Sequence, residues 1–334
     1  MGSFKWGIVG TGYIAGSFAE GLALVEGAEK AAVVGSSPEK ARDFARKHGI
    51  NASFNTLDDM LAQARPDIVY IATPNNLHFE QVMKALDAGA NVLCEKPMPD
   101  NVKQLNAMVA KAREKNVFLM EGLWTRCFPA VRKARQWLDE GRIGKVRSVH
   151  AGFGLKALEE GWQPWKRRVE SSAGAIRDVG IYVLATAFFP FGRGPESFTS
   201  SFILEEGTDM HAEMLLQFSG GGSALLTSSF LMTTEHHAMI YGETGAIRLG
   251  ERVWCPQKAE LMQYSDTDVF KLEPVEAFEE RQESEGFQFE IAHVQDCIEA
   301  GKKESDYYSL AESLEMHKTI DGLRKQWGVV YTTD

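Results

Sequence analysis

Only four of the 334 residues are cysteine, and Cys94, Cys127, Cys255 and Cys297 stand far apart with no CxxC pair and no Cys/His ligand spacing. That pattern excludes a zinc site and a disulfide framework, so no metal is expected and a reducing cytoplasm is the expected compartment. Long apolar runs are missing too. No window approaches the roughly 20 uninterrupted apolar residues of a membrane span. The N-terminus reaches a glycine-rich motif within ten residues, so no export signal is expected. Positive charge is in deficit, with 36 Lys+Arg against 46 Asp+Glu and a formal net charge of −10. A surface of that sign repels a phosphate backbone, so nucleic acid is not an expected partner. Repeats and low-complexity tracts are absent, and what remains is ordinary: 44% hydrophobic and 25% charged residues, the composition of one large or two medium globular domains.

The chain changes its period once. Residues 6–9, 31–34, 67–72 and 91–94 read as short buried strands, with a further one at 117–120. Between them Ala41/Phe44/Ala45, Val82/Met83/Leu86 and Val102/Leu105/Val109/Ala112 recur at helical spacing. A βαβ series of this kind builds a parallel sheet. After about residue 145 the period becomes two, as in 213–218 and 224–230 on either side of the Gly220-Gly221-Gly222 turn, with strand-like pieces at 146–153, 198–204, 238–241, 246–249 and 261–264. Two amphipathic helices, marked by Ile291/Val294/Ile298 and by Leu310/Leu314/His317/Ile320/Leu323/Trp327, close the chain. The expected fold is α/β: a doubly wound parallel sheet over 1–124, then an α/β domain over 125–334. The second carries a large open, mainly antiparallel sheet.

The first strand runs directly into Gly10-Thr11-Gly12-Tyr13-Ile14-Ala15, a GxGxxA loop that opens a helix. Gly10 allows the tight turn, Gly12 lets the backbone approach a pyrophosphate, and the helix N-terminus supplies N–H groups and a positive dipole end. Which dinucleotide binds is read at the end of the second strand, in Gly35-Ser36-Ser37-Pro38-Glu39-Lys40. No carboxylate stands there to hold the ribose diol of NAD, while Ser36, Ser37 and Lys40 can donate to a 2′-phosphate, so NADP(H) is favoured and NAD(H) remains possible. Ser37 also has the form of a helix N-cap followed by Pro38, and both uses can hold together.

Glu95-Lys96-Pro97 ends the strand at 91–94, on the carboxyl edge where open α/β sheets bind ligands. A partly desolvated lysine there suits proton transfer, and a solvated strand-end lysine is the plain alternative. Asp178-Val179-Gly180-Ile181-Tyr182 lies where an apolar helix begins, and the i,i+4 spacing puts Asp178 and Tyr182 on one face. Asp178 could equally be a helix-capping acid. His236-His237 has no second ligand pair and points its rings to opposite faces of a strand. Lys166-Arg167-Arg168, beside Trp162 and Trp165, reads as a solvated loop before an anion grip. Trp124, Phe153 and Trp254 are rings on which a carbohydrate or arene substrate could stack.

Taken in order, Gly10-Thr11-Gly12, Thr73-Pro74-Asn75 with His78, Glu95-Lys96-Pro97, Asp178 with Tyr182, and Gly242-Glu243-Thr244-Gly245 resemble the Gfo/Idh/MocA oxidoreductases across the whole chain. The stretches 121–126, 141–144 and 254–256 look most like the branch of dimeric dihydrodiol and D-xylose:NADP dehydrogenases. The resemblance implies a Rossmann-type dinucleotide domain over 1–124, a substrate-binding and dimerisation domain over 125–334, and reversible hydride transfer between NAD(P) and a sugar, polyol or cyclic trans-diol. It also implies a homodimer formed through the open sheet. It makes Lys96 the catalytic lysine, Tyr182 the acid/base tyrosine and Asp178 the acid that positions substrate or lysine. Thr73, Pro74, Asn75 and His78 match the loop along the cofactor. Inositol-oxidising relatives carry His where Tyr182 stands, and many NADP-using relatives carry Arg where Ser36 stands. Two other uses of such a chain are an NAD-dependent glycosidase working through a transient ketone and a catalytically silent nucleotide sensor.

Overall fold

A computed structural model describes residues 3–157, 168–268, 270–282 and 284–334 of the protein. The chain forms two compact units. The first takes residues up to Trp124, the 283–314 stretch and Thr333.

In the first unit the elements alternate: β1 (Phe4–Val9), α1 (Tyr13–Leu22), β2 (Ala28–Val34), α2 (Pro38–His48), β3 (Ala52–Phe54), α3 (Leu57–Gln63), β4 (Ile68–Ile71), α4 (His78–Asp87), β5 (Asn91–Glu95), α5 (Val102–Lys115) and β6 (Leu119–Gly122). The strands form one sheet in the order β3-β2-β1-β4-β5-β6, every pairing parallel. Val9, Val69, Ile71, Val92 and Cys94 are fully or almost fully buried in it, each larger side chain contributing about 1.5–3 kcal/mol of burial. The strand order reverses between β1 and β4, which run parallel, so the crevice at their carboxyl ends is the topological switch point. Helix starts follow their caps: Ser37 Oγ accepts from the Lys40 amide ahead of Pro38 in α2, and Asn101 does the same for Gln104 in α5.

The second unit begins at Thr125. It holds α6 (Pro129–Asp139), β7 (Val146–Gly154), α7 (Ile181–Phe191), β8 (Ser197–Glu205), β9 (Thr208–Phe218), β10 (Gly222–Ser229), β11 (Ala238–Gly242), β12 (Gly245–Leu249), β13 (Lys258–Tyr264) and β14 (Leu272–Glu279). Its eight strands run β14-β13-β12-β11-β7-β10-β9-β8, antiparallel except for β7 with β10. Helix α7 packs on β7 and β10, and α6 on β12, β13 and β14, so Met214, Leu216 and Phe218 lie buried on the covered face. The helical stretch Val169–Phe191 is by length and composition apolar enough to cross a membrane, although Glu170, Arg177 and Asp178 interrupt it. Most of it is buried within the fold, as a core helix would be.

The expected division at Trp124 is only the first crossing. The later chain does not stay in one domain: α8 (Phe287–Glu299) belongs to the first unit, where Phe287 and Ile291 close on Gly21 of α1. The last helix, α9 (Leu310–Trp327), is divided between the units after Leu314. The short β3 and the exposed β14 were not anticipated, because three residues or a half-polar edge give too weak a period.

Candidate functional site

In the first unit, β1 ends at Val9 and Gly10 turns with φ +117°, where a Cβ would lie 2.6 Å from the Ala72 carbonyl oxygen at the end of β4. Gly12 is the N-cap of α1, no side chain caps that helix, and its first turn carries no acid. A Cβ on Gly12 would meet nothing within 4 Å. The helix therefore presents its first-turn N–H groups toward open space, as a pyrophosphate requires, so the loop fits a dinucleotide. Tyr13, two-thirds exposed, donates its hydroxyl to Glu285, and Ile14 is also exposed. At the end of β2, Ser37 is engaged by the Lys40 amide at 3.3 Å, while Ser36 and Lys40 stand exposed. The capping use of Ser37 is present, and no carboxylate occupies the strand end.

The loops after β4 and β5 are tied together. His78, at the start of α4, is fully buried, with Nδ1 3.0 Å from the Pro97 carbonyl and Nε2 2.8 Å from that of Thr73. Thr73 Oγ1 donates to Gln81 at 2.6 Å, and Asn75 opens a short 3-10 turn behind Pro74. His78 thus braces the two loops from within. Lys96 follows β5, half-buried, with a cis bond to Pro97. Glu95 accepts from Tyr70 Oη at 2.6 Å and from the Lys96 amide at 3.2 Å. Burial pushes its carboxyl up, opposed by the Tyr70 hydrogen bond and by the charge of Lys96. The Met98 amide donates at 2.8 Å to buried Glu121, which also accepts from Ser313 at 2.5 Å. The turn bearing Lys96 is therefore held at both ends.

In the second unit Asp178 lies in a π-helical turn, Ile176–Gly180, directly ahead of α7, and Tyr182 in the first turn of α7. The regular i,i+4 spacing expected for this pair is thus widened, because the helix is not regular there. Tyr182 is nearly buried, and its ring centroid is 5.9 Å from that of Phe153. Phe153 stacks on Trp254 at 4.1 Å with 13° between planes. His236 completes this group: its ring stands edge-on to Phe153 and Trp254, and Nε2 lies 2.7 Å from the Gly154 carbonyl. The sequence, which shows His236-His237 without a second ligand pair, carries no signal for this placement beyond the alternation that separates the two rings. Trp124 belongs to the first unit, against Phe287 at 4.5 Å. Arg168 is exposed. Lys166, Arg167, Trp162 and Trp165 lie outside the described residues.

Among the described residues one cluster has metal-ligand types: His293, Cys297 and Asp306, which sequence spacing did not bring together. His293 Nε2 already lies 2.7 Å from Ser305 Oγ, Lys302 pairs with Asp306 at 2.7 Å, and burial pushes the Cys297 thiol up to about 11. The group reads as a hydrogen-bonded brace between α8 and the loop that follows.

Two family profiles match. Residues 4–123 fit the oxidoreductase family with an NAD-binding Rossmann fold, and residues 131–248 fit the GFO/IDH/MocA C-terminal domain. The trans-1,2-dihydrobenzene-1,2-diol dehydrogenase of Xenopus tropicalis is 31% identical over 331 residues, covering 98% of this chain and 99% of its own. The enzyme of that name from Homo sapiens is 32% identical over 338 residues, 99% of each. Among solved structures, an aldose-aldose oxidoreductase from Caulobacter crescentus superposes with a TM-score of 0.85 at 24% identity over 98% of both chains. A levoglucosan dehydrogenase holding NADH and L-sorbose superposes at 0.87 and 19% identity, over 99% of this chain and 100% of that one. At those identities the structural likeness carries the fold alone. The curated relatives and the two profiles carry more: the chain belongs to the Gfo/Idh/MocA oxidoreductase family, a dehydrogenase with a Rossmann domain for a nicotinamide cofactor.

Proposed function

We propose that the protein transfers a hydride reversibly between a nicotinamide cofactor and the CH–OH carbon of a sugar, polyol or cyclic trans-diol. The observation that carries this reading is Lys96: half-buried at the carboxyl end of β5, in a turn fastened through Glu95 and Glu121. The chain-length identity to diol dehydrogenases supports the substrate class. When bound, the cofactor supplies the hydride acceptor or donor. The family resemblance assigns Lys96 Nζ and Tyr182 Oη to the substrate oxygen. In oxidation one of them takes the hydroxyl proton, and in reduction the same group returns it. Cationic Lys96 stabilises the developing alkoxide, and Asp178 orients the pair. In the second unit the stacked Phe153 and Trp254 are the rings proposed to meet a ring substrate.

NADP(H) is the cofactor we favour, on the absence of a carboxylate after β2 and the exposed Ser36 and Lys40. We further propose a cytoplasmic homodimer built on the uncovered face of the eight-stranded sheet, where Leu225 is 50% exposed beside its β9 partner Leu215. Light scattering at micromolar concentration should report twice the chain mass, and a 37.1 kDa species would remove the dimer. The activity is tested by screening aldoses, polyols and trans-cyclic diols with NAD⁺ and NADP⁺ and following reduced nicotinamide by absorbance. Turnover that needs no added cofactor would overturn hydride transfer to a free dinucleotide, and so would no turnover with any of these classes.

A further inference from the structure

Asp178 and Tyr182 lie on one helical stretch of the second unit, and the way that stretch begins has a feature that the proposed chemistry does not use. The first N–H groups of a helix have no acceptor within it. Here the amide of Ile176 finds one in a side chain far along the chain: Asp209 Oδ2, from β9, at 2.6 Å. Asp209 is completely buried. Its other oxygen, Oδ1, has no hydrogen-bond partner among the described residues. That oxygen lies against Gly174, whose φ is +136° and where a Cβ would come within 2.0 Å of it. A glycine with this backbone is what lets the carboxyl sit so close under the helix start.

The surroundings hold the segment from the other side. Tyr331 Oη donates to the Ala173 carbonyl at 3.1 Å. Arg324, paired with Asp321 and Asp334, stands 3.5 Å over the Tyr331 ring, and buried Arg177 lies 5.3 Å from the same ring. Burial pushes the Asp209 carboxyl up to about 7, while the Ile176 amide and the charges of Arg324 and Arg177 pull it down. The turn it caps is π-helical, a form that persists where neighbours hold it and that recurs at functional sites.

We propose that Asp209 is a positioning residue: by capping the Ile176 amide it fixes the π turn and so sets the aim of Asp178 and Tyr182. This inference rests on the catalytic assignment of that pair. A shift of about 1 Å in such groups costs on the order of 10²-fold in rate. Asp209→Asn keeps an acceptor of the same shape, Asp209→Glu keeps the charge but moves the oxygens by one methylene, and Asp209→Ala removes the cap. The expected result is kcat near wild type for Asn and a loss of roughly 10²-fold for Glu and Ala, with KM moving far less. Cofactor affinity, measured by binding fluorescence, should stay unchanged in all three because that loop belongs to the first unit. If Ala does not fold, the contrast between Asn and Glu still decides the matter. Tyr182→Phe is measured in parallel. A Tyr182→Phe enzyme with full kcat overturns the catalytic assignment and this inference with it. An inactive Tyr182→Phe beside a fully active Asp209→Glu overturns the positioning role alone.

Discussion

Glu290 offers a quantitative test of how the first unit is held together. It sits in the first turn of α8 with 0% exposure. Neither carboxyl oxygen has a hydrogen-bond partner among the described residues. Burial, and then the charge of Glu95, push its carboxyl well above the usual range. In the unfolded chain a glutamate ionises near about 4.3. Between that value and the folded one, the folded protein holds one proton more than the unfolded, so stability falls as pH rises, by about 1.36 kcal/mol per unit. Glu290→Met keeps the length of the side chain and removes the ionisable group. Near pH 4, where both states are largely protonated, the gain is the cost of an unpaired buried polar group, about 1–3 kcal/mol. As pH rises above the unfolded value the difference grows by at most about 1.36 kcal/mol per unit, for as long as the folded carboxyl keeps its proton. At about 2–4 °C per kcal/mol for a unit of this size, the variant should melt several degrees higher near pH 5, by a gap wider than at pH 4. Calorimetry of both proteins across that range reads the slope directly. A variant less stable throughout, or a gap that does not change with pH, would mean that Glu290 is ionised and compensated, and the reasoning would fail.

Two further outcomes concern the proposed chemistry. Lys96→Ala should lower kcat by on the order of 10²- to 10⁴-fold while cofactor binding stays near wild type, and stopped-flow turnover above about a tenth of wild type would reduce Lys96 to a strand-end lysine. Ser36→Asp should turn a preference for NADP⁺ toward NAD⁺ by adding a diol acceptor and a like charge against the 2′-phosphate. If wild-type kcat/KM already favours NAD⁺, the hydroxyls after β2 serve only the turn and the α2 cap.

The first unit was legible because its signals are local. Buried parallel strands read as continuous apolar runs, and the GxGxxA loop follows β1 without a gap, so both the sheet and the Gly10 turn could be placed from neighbouring residues alone. The return of α8 to that unit was not legible. Its apolar stripe, Ile291/Val294/Ile298, marks a buried face, but a stripe does not name its partner: Phe287 and Ile291 close on Gly21, more than 250 residues earlier. The π turn at Ile176–Gly180 was hidden for a related reason. Asp178-Val179-Gly180-Ile181-Tyr182 has the composition of an ordinary helix start, and the residues that bond to the segment's start, Asp209 of β9 and Tyr331, are remote in sequence.

Buried acids mark the limit of sequence reading most sharply. Asp209 and Glu290 are both fully buried, and nothing in their neighbouring residues separates one from the other or from surface acids. Their surroundings differ in kind. Asp209 faces an amide donor and lies within the field of Arg177 and Arg324, which draw its carboxyl down against burial. Glu290 has no donor among the described residues and feels the like charge of Glu95, which adds to burial. Desolvation alone would make both neutral and both dispensable. The opposite sign of the second influence is what makes Asp209 a cap worth keeping and Glu290 a group whose removal should stabilise the fold.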